Sequence, residues 1–475
     1  MNKYKKLAAN TAIFAIGSFG SKILAFLLTR IYTGYMDAGM FNTKEILEMC
    51  ANLLIPVVSF SITDAVIRYG LDKNYEKKNV LSNAVTALLF GIGGFVLLSP
   101  LLLLYSEIRH YYFLLVGYIC ISCFRQVSTQ FARARGLVKL YAADGIFCTL
   151  TFLLLNVLFI AGFGWGITGF MLATLLSDLL SGISVWVIAN HNRYFSFRYV
   201  DKELLSVMLR FSLPLIPTAI LWIITGFSDR LFIRYLVKPA KFGIGGATAA
   251  GVYGASSKIP NLLSMVSSVF YQAWNMSAIA ENNSKERSRF YTQIFSAYQS
   301  ILVLASAFII LLVHPLSNLL IDYGKDPAYR NAFLYTPMLV IAVLLMCLNQ
   351  FLSSIYTVSK HTRNSFYTSL VAAVLNLLLN AILIPKYAVY GAIIATIVSY
   401  LACYLIRIID TRRFIPFKVN HAMSLANLLL LGGMSLLIVF APAYYYLWMI
   451  LMLVAVLALN FRSLMTTAKK ILRRG

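Results

Sequence analysis

Long apolar stretches recur along almost the whole chain, separated by short polar segments. A helix needs about 20 mainly apolar residues to cross the ~30 Å hydrocarbon core of a membrane. Stretches of about that length or longer are 8–32, 41–68, 79–105, 111–134, 140–162, 166–190, 209–236, 247–279, 290–314, 332–359, 364–385, 389–410, 421–441 and 444–461. This pattern predicts an all-α integral membrane protein with about fourteen transmembrane spans.

Composition supports this interpretation. Of the 475 residues, 60% are hydrophobic and only 12% are charged, whereas about a quarter of an average soluble protein is charged. The net charge of +24 would also suit a protein that binds nucleic acid. Here, however, the basic residues stand singly or in small groups between apolar stretches, so we expect no nucleic-acid partner.

The positions of lysine and arginine predict the orientation of the spans. If the N-terminus is cytoplasmic, 28 of these residues fall in inside segments, nine in outside segments and four within spans. Cytoplasmic loops carry an excess of basic residues, so we expect both termini in the cytoplasm. The first apolar stretch lacks a cleavage site and is interpreted as a retained helix.

A short internal repeat predicts the domain organisation. Residues 169–177 recur at 391–399 with Gly, Ala, Thr and Ser at matching places. Parallel repeats are typical of transporters with two lobes around a central site, although small residues also recur by chance in close-packed helices. We predict two pseudo-symmetric six-helix lobes around a central cavity. The boundaries are 1–190 for the first lobe, 191–208 for a cytoplasmic linker, 209–413 for the second lobe and 414–475 for an extra helix pair with a basic tail.

Polar side chains form stripes on spans one, two, seven and eight, which correspond in the two lobes. Charged groups inside a membrane are costly unless they face water or a partner, so we expect these stripes to line the cavity. The candidate substrate-binding cations are Lys22, Arg30, Arg125, Arg230 and Lys258. The candidate polar partners are Glu45, Glu48, Asn52, Asp229 and Asn261.

A basic cavity would favour an anion, because desolvated cations attract phosphate and arginine binds it through two hydrogen bonds. The alternative is that each cation forms a structural pair with a nearby carboxylate. Asp178 in span six and Asp144 in span five are candidates for carrying a coupling proton or sodium ion. Asp144 could instead neutralise Lys139.

Motifs of enzymes and metal sites are absent from the sequence. There is no HExxH, GxSxG or P-loop, and the Cys120–Cys123 pair lacks a second pair of ligands. We therefore expect a transporter rather than an enzyme, with no cofactor and no bound metal beyond a coupling ion. The uncharged final helix pair either packs at the periphery or shapes a groove for a lipid tail.

Short motifs occur in a characteristic order, mainly in the second half. They are Ser21–Lys22, Ile67–Tyr69, Leu213–Pro217, Ser228–Arg230, Ala250–Tyr253, Ser257–Pro260, Phe270–Trp274, Asn376, Asn380, Ile384–Tyr387 and Tyr390–Ala392. In this order the chain resembles the polysaccharide transporter family, bacterial flippases for polyprenyl-diphosphate-linked oligosaccharides. Their MATE-like superfamily also contains multidrug/toxin extruders and lipid II flippases.

The resemblance implies alternating access that moves an undecaprenyl-diphosphate-linked oligosaccharide from the inner to the outer leaflet of the bacterial cytoplasmic membrane. It also implies that Lys22, Arg230 and Lys258 engage the diphosphate, and that polysaccharide polymerase and assembly proteins are partners. Family members often have twelve helices and lipid II flippases fourteen, so a multidrug exporter and a lipid II flippase-like protein stay open as alternatives. Candidates for stacking on sugars are Trp222, Tyr253, Tyr271 and Trp274.

Overall fold

The computed structural model describes residues 28–72, 74–280, 287–359 and 361–472. Within these ranges the chain is largely α-helical and has no β-strand, which confirms the all-α class. The main helices are α1 Ala38–Val58, α2 Ile62–Leu71, α3 Lys77–Leu98, α4 Tyr112–Ala134, α5 Val138–Asn156, α6 Gly166–Ile188, α7 Lys202–Ser212, α8 Leu215–Leu236, α9 Gly246–Ser256, α10 Asn261–Ala280, α11 Arg287–Leu311, α12 Val313–Leu320, α13 Ala332–Val358, α14 Thr362–Thr411, α15 His421–Phe440 and α16 Tyr445–Leu472.

The surface of these helices exposes large apolar side chains, as expected for contact with lipid. Phe90, Leu97 and Leu104 are 73%, 79% and 84% exposed, which is unfavourable in water but expected where lipid replaces it. In the described part of the chain, eight helices are long and apolar enough to cross a membrane, or nine if α1 and α2 form one bent span. Each predicted span from 41–68 onward contains a helix. The first, 8–32, lies mostly outside the described residues, and the count of fourteen stays a prediction.

Spans two and eight are broken helices. α1 and α2 meet at 51°, after Pro56 and across Phe60 and Ser61, whose φ angles are positive. Proline lacks an amide hydrogen, and positive φ is costly for residues other than glycine, so the helix cannot continue. In span eight, residues 257–260 separate α9 from α10 and end at Pro260. Membranes tolerate such breaks only where protein or water satisfies the freed backbone groups.

The glycines of the internal repeat allow close helix packing. A Cβ atom at Gly391 would lie 2.5 Å from the backbone of Leu383, and one at Gly169 would lie 3.2 Å from the backbone of Phe159. Each glycine therefore lets its helix approach the chain just before it. The predicted spans 364–385 and 389–410 both lie in α14, which is interrupted at Ala388, where φ is 49°.

The chain divides into two compact units, one within residues 23–228 and one within 229–475. In the first unit, α4 and α5 both pack against α6, and α2 packs against α4. In the second unit, α13 packs along α14, and α11 packs against α13 and α16. The lobe and linker boundaries predicted from the sequence remain predictions.

Amide and hydroxyl groups join the C-terminal helix pair, α15 and α16, to each other and to α11. Asn460 donates to Asn427 at 2.9 Å, and Asn427 donates back at 3.4 Å. Gln299 of α11 donates to Ser424 at 2.8 Å. Hydrogen bonds between membrane helices contribute about 0.6 kcal/mol on average. The pair lacks charged residues between 419 and 461, yet it is held by polar contacts as well as apolar packing.

Candidate functional site

Three charged side chains meet inside the first unit. Arg125 of α4 lies 3.4 Å from Asp178 of α6 and 3.6 Å from Asp144 of α5, measured from guanidinium nitrogen to carboxylate oxygen. The side chains of the two aspartates are 13% and 4% exposed, and that of Arg125 is 25% exposed. The structure therefore brings one predicted substrate-binding cation together with both candidate coupling acids.

Serine hydroxyls complete this charged cluster. Ser122 Oγ donates to Asp178, and Ser181 Oγ donates to Asp144 at 2.5 Å. The Nε of Arg125 donates to the same Ser181 oxygen at 2.7 Å. Because α4, α5 and α6 each supply a charged residue, the cluster also ties these three helices together.

A second buried cluster lies around Asp229 of α8, in the second unit. Its carboxylate accepts hydrogen bonds from Tyr253 at 2.7 Å, Asn380 at 2.6 Å and Thr396 at 2.8 Å. Asn380 also donates to Asn376 at 3.1 Å. All five side chains are buried, so a carboxylate inside the membrane fold is stabilised here by neutral donors.

The cations of the second unit lie beside the break between α9 and α10. Arg230 is buried, and its guanidinium donates to Ser257 Oγ at 3.0 Å and lies 5.7 Å from the centre of the Tyr253 ring. Lys258 follows Ser257 in the break and is half-buried, and Asn261 is exposed where α10 begins. The guanidinium of Arg230 thus reaches the hydroxyl of the residue that directly precedes Lys258 in the unwound stretch.

On span two, where the sequence predicts a polar stripe, Lys44 and Glu48 form an ion pair beside aromatic rings. Lys44 Nζ lies 2.7 Å from Glu48, 4.8 Å from the Tyr32 ring centre and 4.5 Å from that of Phe170. The sequence counts Lys44 among the nine basic residues at the outer ends and loops, and the structure places it, buried, near the start of α1. Glu45 is also buried there, and Asn52 is half-buried.

Of the remaining predicted site residues, the structure describes only some. Arg30 is exposed at the start of the described chain, and Tyr271 is half-buried against the core of the second unit. Tyr253 is buried and bonded to Asp229, so its ring is not an open surface for a sugar. Lys22 lies outside the described residues, as do the side chains of Trp222 and Trp274.

The charged groups of the two units differ in the kind of ion that they can attract. The two cations beside the break in span eight, Arg230 and Lys258, offer positive charge to an anion. The Arg125 cluster instead contains two carboxylates for one guanidinium. Among the described residues, no group of three or more His, Cys, Asp or Glu side chains is arranged to hold a metal ion.

Comparison with solved structures identifies the fold. A multidrug resistance MATE family transporter of the MOP superfamily, in an inward-facing conformation, is 16% identical with a TM-score of 0.68 over 88% of this chain and 100% of that chain. The lipid II flippase MurJ, inward closed, is 14% identical with a TM-score of 0.69 over 98% of this chain and 99% of that chain. This chain has the fold of the MOP superfamily transporters.

A third solved MOP structure also has this fold. A MOP superfamily transporter from Pyrococcus furiosus, whose binding pocket is described as having reverse polarity, is 15% identical with a TM-score of 0.61 over 87% of this chain and 97% of that chain. No protein-family model and no curated protein matches the sequence. The predicted fold, that of the MOP superfamily, is thus confirmed.

One buried cation was not predicted as a site residue. Arg407 of α14 is one of the 28 basic residues that the sequence places in inside segments, but it is only 2% exposed. It donates to Thr368 Oγ1 at 2.9 Å, to the Asn349 carbonyl at 2.7 Å and to Ser369 Oγ at 2.7 Å. Its position one turn inside a long apolar stretch was the available signal.

The acceptors of the Asp229 cluster were partly visible in the sequence. Asn376 and Asn380 belong to the motifs that carry the family resemblance, and Thr396 belongs to the internal repeat. None of the three was assigned to a site, because spacing along α14 does not show that they face α8.

Proposed function

We propose that the protein is a flippase for a polyprenyl-diphosphate-linked oligosaccharide. It would move this lipid from the inner to the outer leaflet of the bacterial cytoplasmic membrane by alternating access, and so supply cell-surface polysaccharide biosynthesis. Both termini would be cytoplasmic, and polymerase and assembly proteins would be its partners. The MOP transporter fold supports transport rather than enzymatic chemistry, driven by an ion gradient or by substrate supply.

The observation that carries this proposal is the pair of cations at the break in span eight. Arg230 donates to Ser257, and Lys258 is the next residue in the unwound stretch. Arginine and lysine bind phosphate oxygens through charge-assisted hydrogen bonds, which are about twice as strong as neutral ones. A diphosphate is the part of a lipid-linked oligosaccharide that would use such a site.

Two other functions of MOP proteins remain as alternatives. A lipid II flippase-like activity is favoured by the alignment with MurJ, which covers 98% of this chain. Export of cationic drugs would favour acidic residues at the site. The acids of the first unit are partly neutralised by Arg125, and the cations of the second unit would repel a drug cation.

Binding of a diphosphate lipid tests the proposal. The purified full chain in lipid nanodiscs should bind undecaprenyl-diphosphate carrying one N-acetylglucosamine, measured by ligand-induced thermal stabilisation. Arg230→Ala and Lys258→Ala should each weaken binding about tenfold, because each removes a charge-assisted contact of about 1.5 kcal/mol. Lys386→Ala is the matched control, since Lys386 is exposed and lies outside the stretch.

Unchanged binding in both variants would refute the diphosphate site. In cells, Arg230→Ala and Lys258→Ala should reduce surface polysaccharide while membrane insertion stays normal. Efflux of ethidium that depends on the intact chain, with polysaccharide unaffected by its deletion, would favour multidrug export instead.

A further inference from the structure

Three lysines come together at one end of the second unit. Lys238 and Lys241 lie in the connection between α8 and α9, and Lys386 lies just before the kink of α14 at Ala388. All three are exposed. We propose that this lysine patch, made of Lys238, Lys241 and Lys386, binds the headgroup of a phospholipid with a net negative charge. The inference does not rest on the proposed substrate.

Local structure holds the three lysines near one another. Residues Pro239–Phe242 form a single helical turn, which Lys238 precedes and Lys241 belongs to. The Nζ atom of Lys241 donates to the carbonyl of Pro385 at 2.5 Å, and Lys386 is the next residue. The connection after α8 is therefore fixed against the kink of α14. Because an ammonium group has three donors, Lys241 keeps two of them for a ligand.

The surroundings place the patch at the level of lipid headgroups. Leu378 and Ile382 are exposed, and their face of α14 continues four residues further to Lys386. An exposed apolar face of a membrane helix contacts lipid. Tyr235 at the end of α8 and Tyr387 are also exposed, and tyrosine is enriched where a membrane meets water. The lysines thus lie where the phosphates of a bilayer begin.

The charge of the patch favours an anion. Segments 230–250 and 380–400 contain no aspartate or glutamate. Asp229, which directly precedes the first segment, is buried and accepts a hydrogen bond from Tyr253. Basic residues that cluster near a membrane surface attract anionic phospholipids. A zwitterionic headgroup carries a cation of its own, which the lysines would repel, so we expect them to select a headgroup with net negative charge.

Membrane topology and helix packing do not account for these lysines. In the predicted orientation they lie outside, where basic residues are less frequent. The internal repeat, continued towards the N-terminus, pairs Gly164 with Lys386 and Trp165 with Tyr387. Both of these aromatic side chains are exposed. The two units therefore share an aromatic residue at this position, whereas the first unit folds without a lysine beside it.

Lipid binding to the purified full chain in detergent tests the proposal. The probes are phosphatidylglycerol and phosphatidylcholine with the same acyl chains, and native mass spectrometry counts the lipid molecules retained. The wild type should retain phosphatidylglycerol in preference to phosphatidylcholine. The triple variant Lys238→Gln, Lys241→Gln and Lys386→Gln should bind phosphatidylglycerol at least about tenfold more weakly, because it loses three charges near the phosphate.

Two further variants separate the patch from charge in general. Arginine at the same three positions should keep the preference, because a guanidinium also binds phosphate. Lys325→Gln with Arg330→Gln is the matched control. Both residues are exposed cations of the same unit, but their loop also carries two aspartates, Asp322 and Asp326. This control should bind phosphatidylglycerol as the wild type does.

The proposal is refuted if the wild type retains both lipids equally, or if the triple glutamine variant binds phosphatidylglycerol as well as the wild type. Displacement of phosphatidylglycerol by an equal concentration of inorganic phosphate would show a site for free anions and would also refute it. If the triple variant elutes as an aggregate, Lys238→Gln and Lys386→Gln replace it singly, and unchanged binding in both has the same meaning. No diphosphate lipid is present in this experiment, so its failure leaves the site at Arg230 and Lys258 unaffected.

Discussion

The two units bury their charged side chains in opposite ways. In the first unit, Arg125 lies against two carboxylates and Lys44 lies against one. In the second unit, Arg407 and Asp229 form hydrogen bonds with neutral hydroxyl, amide and carbonyl groups. The free-energy cost of burying a charge is therefore offset by an opposite charge in the first unit and by the dipoles of neutral hydrogen-bonding groups in the second.

The difference bears on what each cluster can do. Removing a charge from water costs several kcal/mol, which opposite charges or oriented dipoles must offset. In the first unit this offset depends on three charged side chains that lie on α4, α5 and α6. In the second unit it depends on hydrogen bonds from Arg407 to neutral groups of α13 and α14. We therefore infer that Arg407 holds α13 and α14 together.

Replacement of Arg407 should give the largest effect. The guanidinium ties Asn349 of α13 to Ser365, Thr368 and Ser369 in the first turns of α14. Arg407→Met keeps much of the side-chain volume but removes four hydrogen bonds. We expect a loss of about 3–4 kcal/mol of stability, measured as a lower midpoint in thermal unfolding in detergent.

The loss of stability in Arg407→Met can be compared with the losses in Arg125→Met and Arg407→Lys. Arg125→Met should cost less than Arg407→Met, because protonation can relieve the repulsion between the two carboxylates that are left. Arg407→Lys should fall between wild type and Arg407→Met, since an ammonium lacks the planar fork that bridges these acceptors. Equal losses for the two methionine variants would show that the two modes of burial are energetically the same.

Replacement of Asp229 should give the next largest effect. In Asp229→Ala, the side chains of Tyr253, Asn380 and Thr396 lose their shared acceptor inside the fold. Leaving buried donors unsatisfied costs about 1–3 kcal/mol each, partly offset because a buried charge is also removed, so we expect a net loss of about 2–3 kcal/mol. The readout is the same thermal midpoint.

Asp229→Asn should recover part of that loss, because its amide oxygen still accepts hydrogen bonds. Asn380 also has a buried side-chain oxygen with no partner among the described residues, so its amide can turn to meet a new donor. An Asp229→Asn protein as unstable as Asp229→Ala would contradict this account.

The helical fold could be predicted largely from the sequence. Apolar length determines a membrane helix, and each predicted span after the first contains one. Breaks were harder to predict, because Pro56 and Pro260 both lie in long apolar stretches. Only the backbone at Phe60 and Ser61 shows that span two stops and restarts.

The partners of charged residues could not be predicted from spacing. The sequence identified Arg125, Asp144 and Asp178 separately, but they lie on three helices whose rotation about their axes is fixed only by packing. The burial of Arg407 could not be predicted for a related reason. A basic residue near the end of a span is expected to reach the headgroups, whereas α13 and α14 enclose this one.

A smaller prediction concerns the pH dependence of stability in the first unit. His191 follows α6, outside the spans, and its Nε2 lies 3.0 Å from the Ser128 carbonyl, while its buried Nδ1 has no partner among the described residues. Burial, together with nearby Arg135, lowers the pKa of His191 to about 4.

Unfolding restores an ordinary histidine pKa of about 6.5, so the unfolded chain binds the extra proton and stability falls as the pH drops from about 6.5 towards 4. The loss should reach about 2 kcal/mol at about pH 5. His191→Gln keeps a donor for the Ser128 carbonyl but does not titrate, so its thermal midpoint should fall less between pH 8 and pH 5 than that of the wild type. A His191→Gln protein whose thermal midpoint falls as far as that of the wild type over this range would show that another group carries the pH dependence, and that the buried imidazole is protonated equally in the folded and unfolded chain.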